Sequence, residues 1–410
     1  MKSAVAWTER VVGQCLVPTS FRSKGQIQAR DYRPAGRYPV IDQGQSVIAG
    51  WTDDDSAVIN APLPVVVFGD HSRALKFVDF PFVRGADGTQ VLVPTSDLDP
   101  LYFYYACKFI DVPARGYNRH FSHLKESVFA CPESFDLQRS IARVLRGVDR
   151  AISQEAARCE LAMAIKQAAM ASLFTRGLRG EAQKETEIGW VPESWDVVQL
   201  GSLGRIGNGT TPNRRNAAYW QDGKLPWITS GRMYERQIAG ADSCVTQIAQ
   251  KECSLPLLQP GAVLIAIVGQ GKTLGHCAIL EVEATVSRHV GFIQAKVDAI
   301  SPGYIRGYLE SQYEYLRQLA AGNGSTRGAL TCAILRGFRV PVPSLPEQGE
   351  IVSVLDAIDR KIALHQQKRA VLDDLFKALL QKLMTGEIDV NDLDLQALSA
   401  REPATEGSLA

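Results

Sequence analysis

The sequence predicts an α+β fold, in which two pseudo-symmetric α/β domains alternate with two long antiparallel helices that pair as a coiled coil. One observation is a repeat: the helical pattern between Ser134 and Thr175 returns 210 residues later, between Ser344 and Thr385. The other is that each helical stretch follows a globular segment of short apolar strands separated by Gly, Asp and Pro turns. A tandem duplication of one unit, a globule followed by a helix, explains both observations.

The repeated segments have the spacing of a coiled coil. The apolar positions of the second segment begin Ile351, Leu355, Ile358, Ile362 and alternate steps of four and three. The identical residue pairs in the two copies include Gln138/Gln348, Ile141/Ile351, Leu145/Leu355, Asp149/Asp359, Ile152/Ile362 and Leu173/Leu383. A helix of this length extends roughly 55 to 60 Å and must bury its apolar stripe, so we expect each helix to pack against the other copy.

Both helices have start and stop signals. Ser344 and Glu347 are spaced as a capping box, and Ser134 occupies the matching position of the first copy. Gly177 and Gly386 are predicted to stop the helices. The predicted segments are domain one at residues 1–133, helix one at 134–178, domain two at 188–343, helix two at 344–386 and a tail at 387–410.

Polar residues inside the helical seam predict how the two helices align. If a two-fold axis relates the copies, the helices run antiparallel, and polar seam residues then fix their register. The predicted ion pairs are Glu155 with Lys368 or Arg369, and Lys166 with Asp356 or Asp359. The alternative is that each helix packs only on its own domain.

The composition fits a cytoplasmic globular protein. The chain is 45% hydrophobic and 22% charged, and its net charge of +1 does not exclude a local basic face. None of the eight cysteines belongs to a CxxC pair, so neither a zinc framework nor a disulfide scaffold is indicated. No secretory apolar region follows the start, and the apolar run at residues 262–268 is too short to cross a bilayer.

Short motifs in a fixed order make the prediction specific. The second half contains Gly189-Trp190-Val191-Pro192, Gly209-Thr210-Thr211-Pro212, Pro226-Trp227-Ile228-Thr229 and Pro341-Val342-Pro343. With the duplication, this series resembles the specificity subunit of type I restriction-modification systems, whose target recognition domains alternate with helical spacers. The first half has Tyr38-Pro39-Val40-Ile41 but neither the Gly-Thr-Thr-Pro nor the Pro-Trp-Ile element.

The resemblance implies a non-catalytic, sequence-specific DNA-binding subunit. Each target recognition domain would read one half of a bipartite site in double-stranded DNA, and the helices would separate the half-sites. Two methyltransferase subunits would dock on this subunit, and restriction subunits would add translocation and cleavage. The resemblance implies no catalytic residue, metal or cofactor in this chain.

Loops rich in Arg, Asn, Ser and Thr are the candidate DNA contacts, because Arg reads guanine, Asn reads adenine, and all of them can hold phosphates. The candidates are Arg115, Asn118, Arg119 and His120 before the first helix, Ser325, Thr326 and Arg327 before the second, and Thr210, Thr211, Asn213, Arg214 and Arg215 after the Gly-Thr-Thr-Pro motif. The alternative is that these loops are solvated turns. The aromatic residues Trp195, Tyr219, Trp220 and Trp227 are predicted to belong to the core.

Two other functions stay open at this point. Residues 266–273 match a phosphate-binding loop if Ala266 replaces its first glycine, but the alternation that follows predicts a strand, whereas phosphate binding needs a helix there. A nucleotide-binding protein is therefore the third choice. A coiled-coil scaffold that binds proteins is the second choice, and it would lack the salt-dependent DNA affinity of a DNA reader.

Overall fold

The computed structural model describes residues 6–18, 26–85, 88–113, 120–269, 271–321 and 328–393. The chain divides into two compact units, the first made of residues 1–156 and 366–410 and the second of residues 157–365. Each unit mixes helices with small sheets, which confirms the predicted α+β class. The unit boundaries fall inside the two long helices, so each helix contributes to both units.

The described strands of the first unit all lie between residues 7 and 132. They are β1 (Trp7–Val11), β2 (Tyr38–Ile41), β3 (Gly50–Thr52), β4 (Val65–Gly69), β5 (Leu75–Val78), β6 (Val83–Arg84), β7 (Thr89–Leu92) and β8 (Val128–Pro132). Its helices are α1 (Pro100–Phe109), α2 (Phe121–Glu126) and the first part of α3 (Phe135–Arg176). The strands form one pair, β1-β8, and two three-stranded sheets, ordered β3-β2-β6 and β5-β4-β7.

The second unit has more strands and the same plan. They are β9 (Gln183–Thr186), β10 (Gly189–Pro192), β11 (Asp196–Gln199), β12 (Gly204–Asn208), β13 (Leu225–Ile228), β14 (Gln237–Ile238), β15 (Cys244–Val245), β16 (Val263–Ala266), β17 (Cys277–Leu280), β18 (Thr285–Val286), β19 (Val290–Ala295) and β20 (Arg339–Val342). Its helices are α4 (Gln247–Glu252), α5 (Pro302–Ser311), α6 (Tyr313–Ala321), α7 (Cys332–Gly337) and the first part of α8 (Leu345–Met384). Its larger sheets are ordered β12-β19-β16-β17-β14 and β15-β13-β18.

The two units repeat one strand topology. In the first unit β2 has an antiparallel neighbour, β3, and a parallel one, β6; in the second, β13 lies in the same way between β15 and β18. The apolar strands β4 and β16 each lie between two antiparallel strands. The domains are therefore pseudo-symmetric, as predicted, and the Tyr38–Ile41 strand takes the place of the Pro-Trp-Ile strand.

The repeated glutamine anchors each long helix to its own domain. Gln138 is fully buried; its side chain accepts a hydrogen bond from Asp99 N at 2.8 Å and donates to Pro132 O at 3.0 Å. Gln348 is also fully buried, and it accepts from Ser301 N at 2.8 Å and donates to Pro343 O at 2.9 Å. One amide therefore joins the start of a domain helix to the end of the last strand in both units.

The two long helices pack together within each unit. In the first, residues 141–148 of α3 share an apolar core with residues 376–384 of α8. In the second, residues 170–174 of α3 share a core with residues 351–355 of α8. The helices are antiparallel, because positions further along α3 meet positions earlier in α8. The alternative, that each helix packs only on its own domain, is wrong.

The helix ends differ from prediction in one detail. Gly177 and Gly386 follow α3 and α8 with φ values of +65° and +71°, the left-handed conformation expected of stop residues. Glu347, however, does not complete a capping box with Ser344. Its carboxylate accepts hydrogen bonds from Leu178 N at 2.9 Å and from the Trp195 indole at 3.2 Å, so it holds the end of the other long helix. Within the described residues, no helix combines the length and apolar character that crossing a membrane requires.

Candidate nucleic-acid interface

Four loops of the second unit meet beside the ends of β13, β16 and β18. We call their described residues the second loop edge: residues 209–216, 229–236, 267–269 with 271–276, and 287–289. Ile267 N donates to His289 O at 3.0 Å, and the Tyr234 hydroxyl lies 2.9 Å from Thr273 Oγ1. Arg288 N donates to Thr211 Oγ1 at 3.5 Å. Backbone segments that are distant in sequence are thus brought together at one edge of the domain.

The predicted contacts after the Gly-Thr-Thr-Pro motif lie on this edge, and two tryptophans donate hydrogen bonds to the backbone of their loop. The Trp227 indole donates to Thr210 O at 3.2 Å, and the Trp220 indole donates to Asn213 O at 3.0 Å. The Arg214 guanidinium lies 4.4 Å from the Trp220 ring centre and 5.0 Å from that of Trp227. Such cation–π contacts contribute about 0.5 to 2 kcal/mol, so the loop is held in place before any ligand arrives.

The aromatic residues are structural, as the sequence predicted. Trp195 is fully buried and Trp227 is 3% exposed. Trp220 packs edge-on against Trp227, with ring centroids 5.2 Å apart, and belongs to the same small core as Tyr219. These rings position the loop that carries Asn213, Arg214 and Arg215, and those three side chains are themselves exposed.

The segment that resembles a phosphate-binding loop is a hairpin connection. Residues 271–275 form turns, and the chain then enters β17, antiparallel to β16. Lys272 O accepts a hydrogen bond from the Tyr313 hydroxyl at 2.5 Å, and Gly271 O accepts one from Arg317 at 2.9 Å. The helix amino terminus that would bind phosphate is replaced by a strand, as expected from the sequence.

Ser325, Thr326 and Arg327 lie outside the described residues, and their DNA contact stays a prediction. The backbone that follows them is described. Leu330 N donates to Ile267 O at 2.8 Å, and Val268 forms an isolated β-bridge with Ala329. The carboxyl-terminal flank of this loop is therefore attached to the second loop edge.

In the first unit, Arg115, Asn118 and Arg119 also lie outside the described residues. His120 is described and is only 2% exposed. Its backbone N donates to Asp70 Oδ1 at 2.7 Å, and its ring Nδ1 lies 2.8 Å from Asp70 O. The His120 ring is therefore held against Asp70, and its contact with DNA stays a prediction.

A cluster of charges in the second unit joins the loop edge to the helix pair. Lys166 Nζ on α3 lies 2.7 Å from Asp359 Oδ1 on α8 and 2.5 Å from Glu310 Oε1 on α5. Arg236, the last residue of the loop after β13, lies 3.0 Å from Asp359 Oδ2 and also pairs with Asp356. Burial lowers the pKa of the Arg236 guanidinium, but the group remains charged at neutral pH.

The sequence pattern had selected Lys166, Asp356 and Asp359 but had missed Arg236, because its partners lie more than 100 residues away. The predicted pairing of Glu155 with Lys368 or Arg369 stays a prediction. Glu155 is 7% exposed on the first-unit part of α3. Arg369 lies 3.7 Å from Asp373, one turn further along its own helix.

The buried cysteines show no sign of activation. Burial raises the pKa of Cys131 to about 11 and that of Cys277 to about 12. Both are therefore neutral thiols at pH 7, whereas a nucleophilic cysteine needs a lowered pKa.

The geometry defines a class: a duplicated α+β protein with two domains of one topology, carried on a shared pair of long antiparallel helices. Known proteins of this design were found by three comparisons. Residues 192–374 match the family described as the type I restriction modification DNA specificity domain. The specificity subunit of the type I restriction enzyme EcoR124I/EcoR124II from Escherichia coli is 25% identical over 380 residues, which cover 86% of this chain and 90% of that protein.

A second relative is the MjaIX specificity subunit of Methanocaldococcus jannaschii, 30% identical over 214 residues, which cover 50% of this chain and 48% of that one. Among solved structures, the S subunit of a type I restriction-modification system from M. genitalium has a TM-score of 0.62 at 16% identity, covering 94% of this chain and 97% of that one. A chain from a study of complex assembly in a type I R-M system has a TM-score of 0.54 at 16% identity, covering 94% and 100%. Residues 192–374 of the chain therefore match a type I restriction-modification specificity domain, and 86% of the chain is similar to a specificity subunit of such a system.

Proposed function

We propose that this protein reads a bipartite sequence in double-stranded DNA, with one domain for each half-site. The observation that carries the proposal is that one strand topology occurs twice in a chain whose residues 192–374 match the type I restriction modification DNA specificity domain. Two similar domains suit two separate half-sites. The polar, exposed loop that carries Asn213, Arg214 and Arg215 supplies the side-chain chemistry that base and phosphate contacts require.

The long helices would act as the spacer between the half-sites. With 42 and 40 residues, α3 and α8 each extend about 60 Å at 1.5 Å per residue, more than the ~34 Å of one duplex turn. Helix length would then set the gap between half-sites.

The helices would also dock two methyltransferase subunits. Apolar side chains that neither unit covers support this role: Leu161, Met163 and Ile165 on α3 are 62%, 43% and 50% exposed, and Val371 on α8 is 62% exposed. Exposed large apolar side chains of this kind are typical of a surface that binds a partner. Restriction subunits would join the same cytoplasmic complex, and this chain would contribute recognition without catalysis.

The test is to map modified adenines in DNA from cells that express this chain with its methyltransferase. A bipartite motif is expected. The purified complex should also lose DNA affinity steeply with added salt, because phosphate contacts release counterions. Affinity that does not respond to salt, with no bipartite motif, would favour the protein-binding scaffold, and ATP binding by the isolated chain would favour the nucleotide-binding alternative.

Arginines in the two loops before the helices are expected to contribute directly. Arg119→Ala and Arg327→Ala should each weaken specific DNA binding by about 1 to 3 kcal/mol, because each removes a charged donor from the proposed surface. Binding can be measured by fluorescence anisotropy at fixed salt. Arg37→Ala is the control. Arg37 is exposed just before the start of β2, at the end of the strand away from the loop that follows it, and it pairs with Asp55. Equal affinities for all three variants and the parent would remove both loops from the site.

A further inference from the structure

The shared topology identifies which loops of the first unit correspond to the second loop edge. Since β2, β4 and β6 match β13, β16 and β18 in pairing and in order, the loops after them match as well. In the second loop edge, the loops after β13, β16 and β18 are residues 229–236, residues 267–269 with 271–276, and residues 287–289. Their counterparts in the first unit are therefore the loops that follow β2, β4 and β6. The sequence motifs did not point to these three loops, because the first half of the chain lacks the Gly-Thr-Thr-Pro and Pro-Trp-Ile motifs.

These loops meet in the first unit too. We call residues 42–46, 70–73, 85 and 88 the first loop edge. The Ser72 hydroxyl donates to Gln43 O, and His71 N donates to Gln43 Oε1 at 3.3 Å. Asp70 N donates to Gly88 O at 2.7 Å. Asp70 also binds His120, so the last of the predicted contacts of the first unit is attached to this edge, as Ala329 and Leu330 are attached to the second loop edge.

A buried lysine holds the first loop edge in place from inside the domain. Lys76, on β5, is 4% exposed, and its ammonium donates to Asp42 O at 2.7 Å and lies 3.6 Å from Asp42 Oδ1. The Asp42 carboxylate also accepts from Gly44 N at 2.8 Å and from the Tyr32 hydroxyl at 3.5 Å. Burying a lysine costs free energy unless it is paired, so its role here is to fix the loop after β2.

Two of the exposed side chains on this edge belong to residue types that can read bases. Gln45 and Arg73 are exposed, and they belong to the residue types that make bidentate contacts with adenine and guanine. Arg73 has φ of +61°, a left-handed conformation that is unfavourable for a residue with a Cβ. One guanidinium nitrogen donates to Val112 O at 2.8 Å, which limits the positions the rest of the group can reach. Backbone strain of this kind is concentrated at functional sites.

From these observations we infer that the first loop edge determines the base preference at one half-site, with Gln45 and Arg73 contacting DNA. Gln43, Asp42 and Lys76 are positioning residues that act through the loop. The inference rests on the proposed function and adds the surface that the first domain uses. It also explains how the first half can read DNA without the Gly-Thr-Thr-Pro and Pro-Trp-Ile elements: the same fold presents different loops.

The test uses the full chain in complex with its methyltransferase and compares methylation motifs in cells. Gln45→Ala and Arg73→Ala are expected to relax the base preference at positions in one half of the motif, by about tenfold in relative methylation, while the other half is unchanged. Arg215→Ala should affect only the other half. Arg37→Ala is the matched control within the first domain and should leave both halves as in the parent.

Lys76→Met tests the positioning role. It removes the ammonium that binds Asp42 O but keeps most of the side-chain volume, so it should relax the same half of the motif as Gln45→Ala. If the thermal unfolding of Lys76→Met shows that it does not fold, Asp42→Asn gives the same test from the loop side.

Three outcomes would overturn the inference: parental preference in both Gln45→Ala and Arg73→Ala, equal relaxation of both halves, or relaxation by Arg37→Ala of the same size. The absence of a bipartite motif with the parental chain would contradict the proposed function itself and is distinguishable from these results.

Discussion

Gln348→Ala is expected to lower the free energy of unfolding by about 2 to 4 kcal/mol, although the residue is neither charged nor apolar. The substitution removes the fully buried amide that Ser301 N and Pro343 O have as their partner at 2.8 and 2.9 Å. A buried polar group without a partner costs about 1 to 3 kcal/mol, and here there are two. Gln138→Ala should have an effect of the same size in the first unit.

Urea unfolding followed by circular dichroism measures this effect. Gln367→Ala is the matched control, because it makes the same chemical change at an exposed site on the same helix and should alter stability by less than about 0.5 kcal/mol. If Gln348→Ala were as mild as Gln367→Ala, the repeated glutamine would not be the anchor between the long helix and its domain.

Asp359→Ala is expected to cost about 2 to 4 kcal/mol for a different reason. The Asp359 carboxylate is 15% exposed and lies 2.7 Å from Lys166, 3.0 Å from Arg236 and 3.9 Å from Arg306. Removing it leaves a surplus positive charge in a partly buried cluster, and breaking such an arrangement on one side costs more than the pair itself contributes. The loop after β13 should loosen as well, because Arg236 loses one of its two carboxylate partners.

Two comparisons make this prediction specific. Asp374→Ala, on the exposed face of the same helix with 81% of its side chain accessible, should change stability by less than about 0.5 kcal/mol. Asp149→Ala, at the equivalent position of the first unit, should cost about 1 kcal/mol, because the Asp149 carboxylate pairs with Lys108 at 3.2 Å and, among the described residues, is not shared with a larger cluster of cations. Equal effects for Asp359→Ala and Asp374→Ala in thermal unfolding would contradict the role of the cluster.

The two units differ in the charged residue that each domain helix places against the long helices. In the first unit, Lys108 on the domain helix lies 4.6 Å from the ring centre of Phe376 on α8. In the second, Glu310 on the domain helix pairs with Lys166 on α3, and Lys166 precedes Phe376 by the repeat length of 210 residues. The domain residue is thus a cation beside an aromatic ring in the first unit and an anion beside a cation in the second. Each domain therefore matches its own end of the helix pair.

Local sequence patterns predicted the helices well because their signal is dense. The alternation of four and three residue steps continues for more than 30 positions, and a stripe of that length is stable only against a similar stripe. The short apolar strands were predicted for a related reason, as apolar runs bounded by turns, and β4 and β16 are two of them.

The capping box was wrong because a glutamate near a helix start can bond to any nearby donor. The spacing of Ser344 and Glu347 fits a local cap, but Leu178 N and the Trp195 indole compete for the same carboxylate. Those donors are more than 150 residues away in sequence, so no local pattern could reveal them. The first loop edge was missed for the same reason, because Gln43, His71 and Gly88 come together only when three strands have paired.

The sequence by itself determined the duplication, the two long helices and the resemblance to type I specificity subunits, because each is carried by residues at fixed local spacings. The tertiary structure decided which donor each buried carboxylate meets, that the Tyr38–Ile41 strand takes the place of the Pro-Trp-Ile strand, and which loops of the first domain form a surface. The physical reason is that helix periodicity arises from neighbours along the chain. A binding surface arises from strand pairing between distant segments, whose register depends on the whole packed domain.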